Sequence, residues 1–134
     1  MGPGMTTPEI ADAFFEAFVK QDADRLLGLY DPALVMSSPS GTRSGVEHVQ
    51  LVRNGALSVE NLRYEQVRRD FFEGGFVQQH LVCCTLPSGR TMRKPACVVV
   101  QVSAGRITAF DQYFDPAPLA DEAMFQALHD RRFP

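Results

Sequence analysis

The sequence predicts an α+β domain, and three observations carry that prediction. Apolar residues recur at helical spacing in the first third of the chain, and from Leu62 the apolar period drops to two. Glu73-Gly74-Gly75, Pro87-Ser88-Gly89 and Ala104-Gly105 then divide four alternating runs into strands. Helices followed by an antiparallel meander are an α+β signature. At 134 residues the chain suits one domain with a continuous core and is too short for two.

Thr7, Pro8 and Glu9 read as a helix start: a hydroxyl cap, a proline in the first turn and an acid near the positive helix end. Ile10, Phe14 and Phe18 recur every four residues, with Ala11, Phe15 and Ala17 widening the stripe, so this helix is expected to reach about Gln21. Asp22 caps a second short helix whose buried side is Leu26, Leu27, Leu29 and Tyr30, closed by Asp31-Pro32. Leu34 to Ser37 is a short strand, and Ser38-Pro39-Ser40-Gly41 a turn. Ser44 with Glu47 forms a capping box that opens a third helix, carried by Val46, Val49 and Val52 to about Leu57. Strands are expected near 62–72, 76–86, 91–102 and 106–115, and a terminal helix over 121–129. Met1-Gly2-Pro3-Gly4 ahead of Met5 reads as a cloning scar or a frayed start, leaving residues 6–134 as a single α+β unit.

Ten phenylalanines and no tryptophan give an aromatic interior, and a formal charge of −3 argues against nucleic acid or anionic lipid as the main partner. No apolar run approaches the ~20 residues that cross a bilayer, and no basic segment precedes an apolar one, so a cytoplasmic protein is expected. Cys83 and Cys84 are adjacent on a strand and point to opposite faces, which disfavours a bond between them. Only three histidines are present and no cysteine pair has zinc-site spacing, so no metal and no cofactor are expected.

The segment Ala104 to Pro116 is a tight hairpin whose second strand alternates Phe110, Gln112 and Phe114 on one face with Asp111, Tyr113 and Asp115 on the other. It resembles the last strand of the superfamily of ketosteroid isomerase, scytalone dehydratase, limonene epoxide hydrolase and the SnoaL-like polyketide cyclases. The resemblance spans roughly residues 6–116 in element order. It implies a curved, mixed, mainly antiparallel sheet wrapped around the N-terminal helices. That makes a cone with one pocket for a small apolar molecule, and a homodimer through the convex face of the sheet.

The resemblance also allows the superfamily's chemistries to be tested on this chain. Ketosteroid isomerase uses a carboxylate base with a tyrosine and a protonated aspartate as oxyanion hole; here Ser38, Phe14 and Cys97 fall at those places. A serine without an activating partner does not abstract a carbon-bound proton at neutral pH. In the epoxide hydrolase pattern, Gln79-His80-Leu81-Val82 and Phe110-Asp111-Gln112-Tyr113-Phe114-Asp115 replace its arginine by His80 and its two carboxylates by Val82 and Gln112. The triad is degenerate while the shape persists.

Alternation places Gln78, His80, Val82 and Cys84 on the pocket face if Gln112 lies there. His80 is then the side chain able to exchange a proton near neutral pH, with Gln78 and Gln112 orienting a substrate oxygen. The expectation is a cofactor-independent isomerase, cyclase or dehydratase acting on an apolar carbonyl- or hydroxyl-bearing metabolite. The rival is a non-catalytic binding or accessory protein of the same shape. Phe14, Phe18, Tyr30, Ser38, Val82, Cys97, Phe110 and Phe114 are the expected pocket lining, although each phenylalanine is equally a core residue. Gln78 and Gln112 have a second reading, in which they satisfy each other across the sheet. Asp111 becomes the leading acid if the strand register slips by one residue. Arg63, Arg68, Arg69, Arg90, Arg93 and Arg106 read as a solvated face.

Overall fold

The computed structural model describes residues 4–119, 122 and 123. Helix α1 (Thr7–Val19) is opened by Thr6 rather than Thr7: the Thr6 hydroxyl accepts from the Glu9 amide and the Glu9 carboxylate accepts from the Thr6 amide. Such a box contributes about 1 kcal/mol. α1 stops two residues short of the expected Gln21, which sits in the left-handed region at φ 54°. Asp22 caps α2 (Ala23–Leu29) by accepting from the Arg25 amide.

The chain enters β1 (Tyr30–Ser38) at once, so Tyr30 begins a strand instead of ending a helix. Its pairing is interrupted between Tyr30 and Val35, where Pro32 has no N–H to give the ladder. The Pro39-Ser40 turn leads into an unexpected short strand, β2 (Gly41–Ser44). Ser44 and Glu47 form the predicted capping box of α3 (Gly45–Arg53), which is shorter than expected. Its buried residues are Gly45, His48, Val49, Leu51 and Val52, whereas Val46 is 52% exposed.

The four long strands are β3 (Glu60–Phe72), β4 (Gly75–Thr85), β5 (Thr91–Ser103) and β6 (Arg106–Phe114), followed by a single 3₁₀ turn (Ala117–Leu119). The expected terminal helix over 121–129 lies outside the described residues but for two of them. The six strands run in the order β2-β1-β6-β5-β4-β3, with β1 parallel to β6 and every other pair antiparallel. The sheet is mixed and open, and it wraps the helices as an α+β cone.

Bulges bend the sheet. β3 shifts register between Glu60 and Arg63 and again between Glu65 and Arg68, with Asn61 at φ 54° and Gln66 at φ 52°. Gly75 is required where β4 begins, because a Cβ there would stand 2.0 Å from the Val100 carbonyl oxygen. The main core packs Ile10, Phe14 and Leu26 against Leu34, Phe76, Val100 and Ile107, each fully or nearly fully buried. Burial of such side chains stabilises by about 1.5–3 kcal/mol apiece. A smaller cluster of Cys84, Leu86 and Leu119 closes the other end of the cone. Among the described residues no helix is long and apolar enough to cross a membrane.

Candidate functional site

Between the two core clusters lies a cavity of about 230 Å³. Its walls follow strand alternation: His80, Val82 and Cys84 from β4, Met92, Lys94 and Val98 from β5, and Phe110, Gln112 and Phe114 from β6. Phe14, Phe15 and Phe18 of α1 cover it, and Ser38 and Arg43 border it from β1 and β2. No Asp or Glu lies among the described lining residues.

His80 ends a chain of hydrogen bonds that starts on the surface. The Arg69 guanidinium donates from Nη1 to Asp12 Oδ1 (2.7 Å) and from Nε to Gln78 Oε1 (2.7 Å). Gln78 is only 1% exposed, and its Nε2 stands 2.9 Å from Nδ1 of His80, itself 4% exposed. Arginine Nε is a donor only, so the atom it meets on Gln78 must be the oxygen. The Gln78 NH₂ therefore donates to His80 Nδ1, and the neutral ring carries its proton on Nε2. Burial, with a smaller contribution from the Arg69 charge, pulls His80 from its ordinary 6.5 down to about 4. At neutral pH His80 is thus an uncharged Nε2–H donor. The rings of Tyr64 (4.6 Å) and Phe15 (5.7 Å) hold it edge-on.

Arg69 is positioned by the second β3 bulge. Without the extra residue, Arg69 would alternate with Tyr64 onto the outer face. With it, Arg69 pairs with Gln78, and its guanidinium lies over the Phe15 and Phe76 rings at 5.6 and 5.9 Å. This corrects the reading of Arg69 as a solvated residue. It also excludes mutual satisfaction of Gln78 and Gln112: β5 stands between them, each opposite Val98, and Gln78 is already committed to Arg69 and His80.

At the other end of the cavity, Lys94 sits opposite Val82 in the β4–β5 ladder. Its Nζ is buried, makes no hydrogen bond, and lies 3.8 Å from the Phe114 ring centroid. Burial lowers it from 10.5 to about 8 against a smaller opposing effect of Asp115. A third polar side chain, His48 of α3, stacks on Phe18 and meets the Tyr30 hydroxyl through Nδ1 at 2.9 Å. Burial, with the Arg43 charge behind it, brings His48 to about 4, and burial pushes the phenols of Tyr30 and Tyr64 well above the ordinary range.

Most of the expected lining is assembled here: Phe14, Phe18, Ser38, Val82, Phe110 and Phe114 join His80 and Gln112 at the cavity. Gln78 stands behind His80 rather than at the wall. Two placements are corrected, and with them the alternative that made Asp111 the leading acid. Tyr30 points into the core toward His48, because it opens β1 beneath α3. Cys97 has the opposite parity to Val98 and lies in a groove on the outer face with Tyr113, which is 59% exposed. Asp111 is also on the outer face, accepting from the Ser37 hydroxyl at 2.5 Å, so Gln112 is the β6 residue at the cavity. Asp115 caps the following turn by accepting from the Ala117 amide. The outer face, to which the resemblance assigns a dimer contact, exposes Val35, Val67 and Tyr113.

Lys94, His48, Tyr64 and Arg43 escaped the sequence reading. Two of them carried a signal. Lys94 alternates with Met92, Ala96 and Val98, and His48 falls four residues before Val52.

A family model described as a SnoaL-like domain matches residues 11–110. No curated protein matches the chain. Among solved structures, a putative polyketide cyclase from Xanthomonas campestris superposes with a TM-score of 0.72 at 16% identity, covering 84% of this chain and 92% of that one. An epoxide hydrolase of M. tuberculosis, described as LEH-like, gives 0.67 at 20% identity over 89% and 86%. An NTF2-like protein of unknown function from Cytophaga hutchinsonii gives 0.68 at 18% over 89% and 98%. At these identities the likeness is one of fold.

Proposed function

Because the chain belongs to the SnoaL-like domain family, we propose that it is a small-molecule pocket enzyme that needs no cofactor. Its substrate is an apolar metabolite whose carbonyl oxygen is held by His80, in chemistry of the isomerase, cyclase or dehydratase kind. The observation that carries this reading is the unpartnered Nε2–H of His80 at an apolar cavity, with its tautomer fixed from behind by Gln78 and Arg69.

A fixed, uncharged N–H aimed at a carbonyl gains strength as negative charge develops on that oxygen, as in an enolate or a tetrahedral adduct. Gln112, two strands away on the same face of the sheet, offers a second amide to the cavity. His80 so placed is a hydrogen-bond donor, not the proton carrier that the sequence suggested, since Nδ1 accepts from Gln78 and Nε2 holds the neutral ring's proton, which leaves no free basic nitrogen. The cavity is smaller than the roughly 300–1,000 Å³ usual for drug-sized ligands, which suits a compact substrate.

The lack of Asp or Glu among the described lining residues favours a second reading, a binding protein that keeps the pocket without turnover. A panel of apolar ketones and enones separates the two. For the enzyme, His80→Ala lowers turnover roughly 10²–10³-fold, the scale of a lost oxyanion donor, while ligand Kd changes less than about tenfold. For the binding protein only affinity responds. Ring ¹⁵N spectra of the wild type showing a protonated Nδ1 would sink the His80 assignment itself.

A further inference from the structure

Three buried side-chain polar atoms among the described residues have no hydrogen-bond partner, and two of them, His80 Nε2 and Lys94 Nζ, belong to side chains lining this one cavity. Both are donors. His80 stands opposite Ala96 and Lys94 opposite Val82, so the two residues are diagonal neighbours on one face of the β4–β5 ladder, roughly 7–8 Å apart along the diagonal and less between their Cβ atoms. No described side chain of the wall accepts from either. A buried ammonium without a partner is costly to the protein, and the Phe114 ring compensates only part of that cost. The walls around Lys94 (Val82, Cys84, Leu86, Met92 and Phe114) are apolar. Asp115, the one carboxylate that acts on it, is engaged by the Ala117 amide.

We propose that the cavity is built for an apolar ligand carrying an anionic oxygen group, a carboxylate or an acidic enol, paired with Lys94 Nζ while a neutral carbonyl a few bonds away accepts from His80 Nε2–H. One ligand then satisfies both orphaned donors and brings in the negative charge that the described lining residues lack. Arg43, which also borders the cavity, has the same sign. This rests on the reading of the cavity as a ligand site and adds the class of ligand.

β-Benzoylpropionate and butyrophenone share one aryl ketone body and differ only in a carboxylate for a methyl group, which makes them a matched pair for calorimetry near neutral pH. The acid is expected to bind at least about tenfold more tightly than the ketone. Lys94→Met is expected to erase that preference while leaving ketone affinity in place. Its fold is checked by circular dichroism, and Lys94→Arg retains the charge as a second variant. Raising the pH through the Lys94 titration near 8 weakens the acid and not the ketone; Asp115 and Cys84 are the other titratable groups that act on Lys94. Equal affinity for both probes, or a preference for the acid that survives Lys94→Met, overturns the anionic assignment while leaving the cavity as a site for neutral carbonyls. Failure of both probes to bind at millimolar concentration overturns the assignment and the cavity reading together.

Discussion

His80 and Lys94 stand on neighbouring strands and face one cavity, yet they are held by opposite means. Behind His80 runs an unbroken chain of hydrogen bonds through Gln78 and Arg69 to Asp12, which is 75% exposed at the surface. Around Lys94 there is hydrocarbon and one aromatic face. The first arrangement fixes a tautomer and removes a charge; the second leaves a charge in place and fixes nothing. Polar groups at the two ends of one small cavity therefore differ in what a ligand must do for them. At His80 it completes a network, and at Lys94 it supplies a partner that no described side chain provides.

That contrast has a largest expected consequence in acid. His80 and His48 each fall from the ordinary 6.5 to about 4 on folding, chiefly through burial. The unfolded chain therefore takes up protons first as the pH drops. Stability is fully present above about 6.5 and drains away between 6.5 and 4, by at most about 3 kcal/mol per histidine. Urea midpoints measured across this window should fall steeply. His80→Gln and His48→Gln should each flatten the profile by their own share, which separates the histidines from carboxylates titrating lower. A profile with the same slope in both variants would mean that neither ring is held neutral by burial.

A smaller effect tests the chain behind His80. Arg69→Met leaves the buried Gln78 oxygen without its donor, a loss of about 1–3 kcal/mol. It also removes the charge that helps to depress His80, so the His80 pKa should rise while remaining below 6.5. With the amide free to turn, the ring should populate both neutral tautomers, readable in its ¹⁵N shifts. A variant that keeps a single Nε2–H form would show that Gln78 alone suffices, and that the surface link is ornamental.

How far the sequence reveals this site depends on whether each residue obeys a local period. Gln112, Phe110 and Phe114 fall on the expected face because β6 alternates without a break from Phe110 to Phe114, which pair one for one with Val100 to Ala96. Ser44 and Glu47 announce α3 by a short-range pattern. Arg69 obeys no such rule: a bulge inserts one residue, Gln66 turns left-handed, and parity inverts beyond it. Bulges leave no dependable mark in a single sequence. Lys94 was hidden differently, since Arg93-Lys94-Pro95 looks like a solvated charge while its parity with Val98 puts it inside. Alternation is the better guide there, and again at Cys97, whose parity places it outside. Tyr30 required knowing that the chain passes from α2 into β1 without a loop.

The smallest expected effect is the most pointed. Lys94 is held near 8 in the folded chain against an ordinary 10.5, so folding disfavours its protonated form. The resulting penalty is complete at neutral pH and disappears as the pH rises through about 8 to beyond 10.5, where the amine is neutral in both states. Lys94→Met, similar in length and without the charge, should therefore stabilise the unliganded protein at pH 7 by about 1–2 kcal/mol once solvent screening around this partly buried residue and the lost Phe114 contact are discounted. That is a rise of a few degrees in Tm for a chain of this size. The advantage over wild type should shrink as thermal melts are repeated at higher pH. A loss of stability at pH 7 would mean that Lys94 is satisfied where it lies, and the two ends of the cavity would no longer differ in kind. A gain would mark a residue that the fold tolerates at a cost, which is the pattern expected where a side chain serves binding rather than stability.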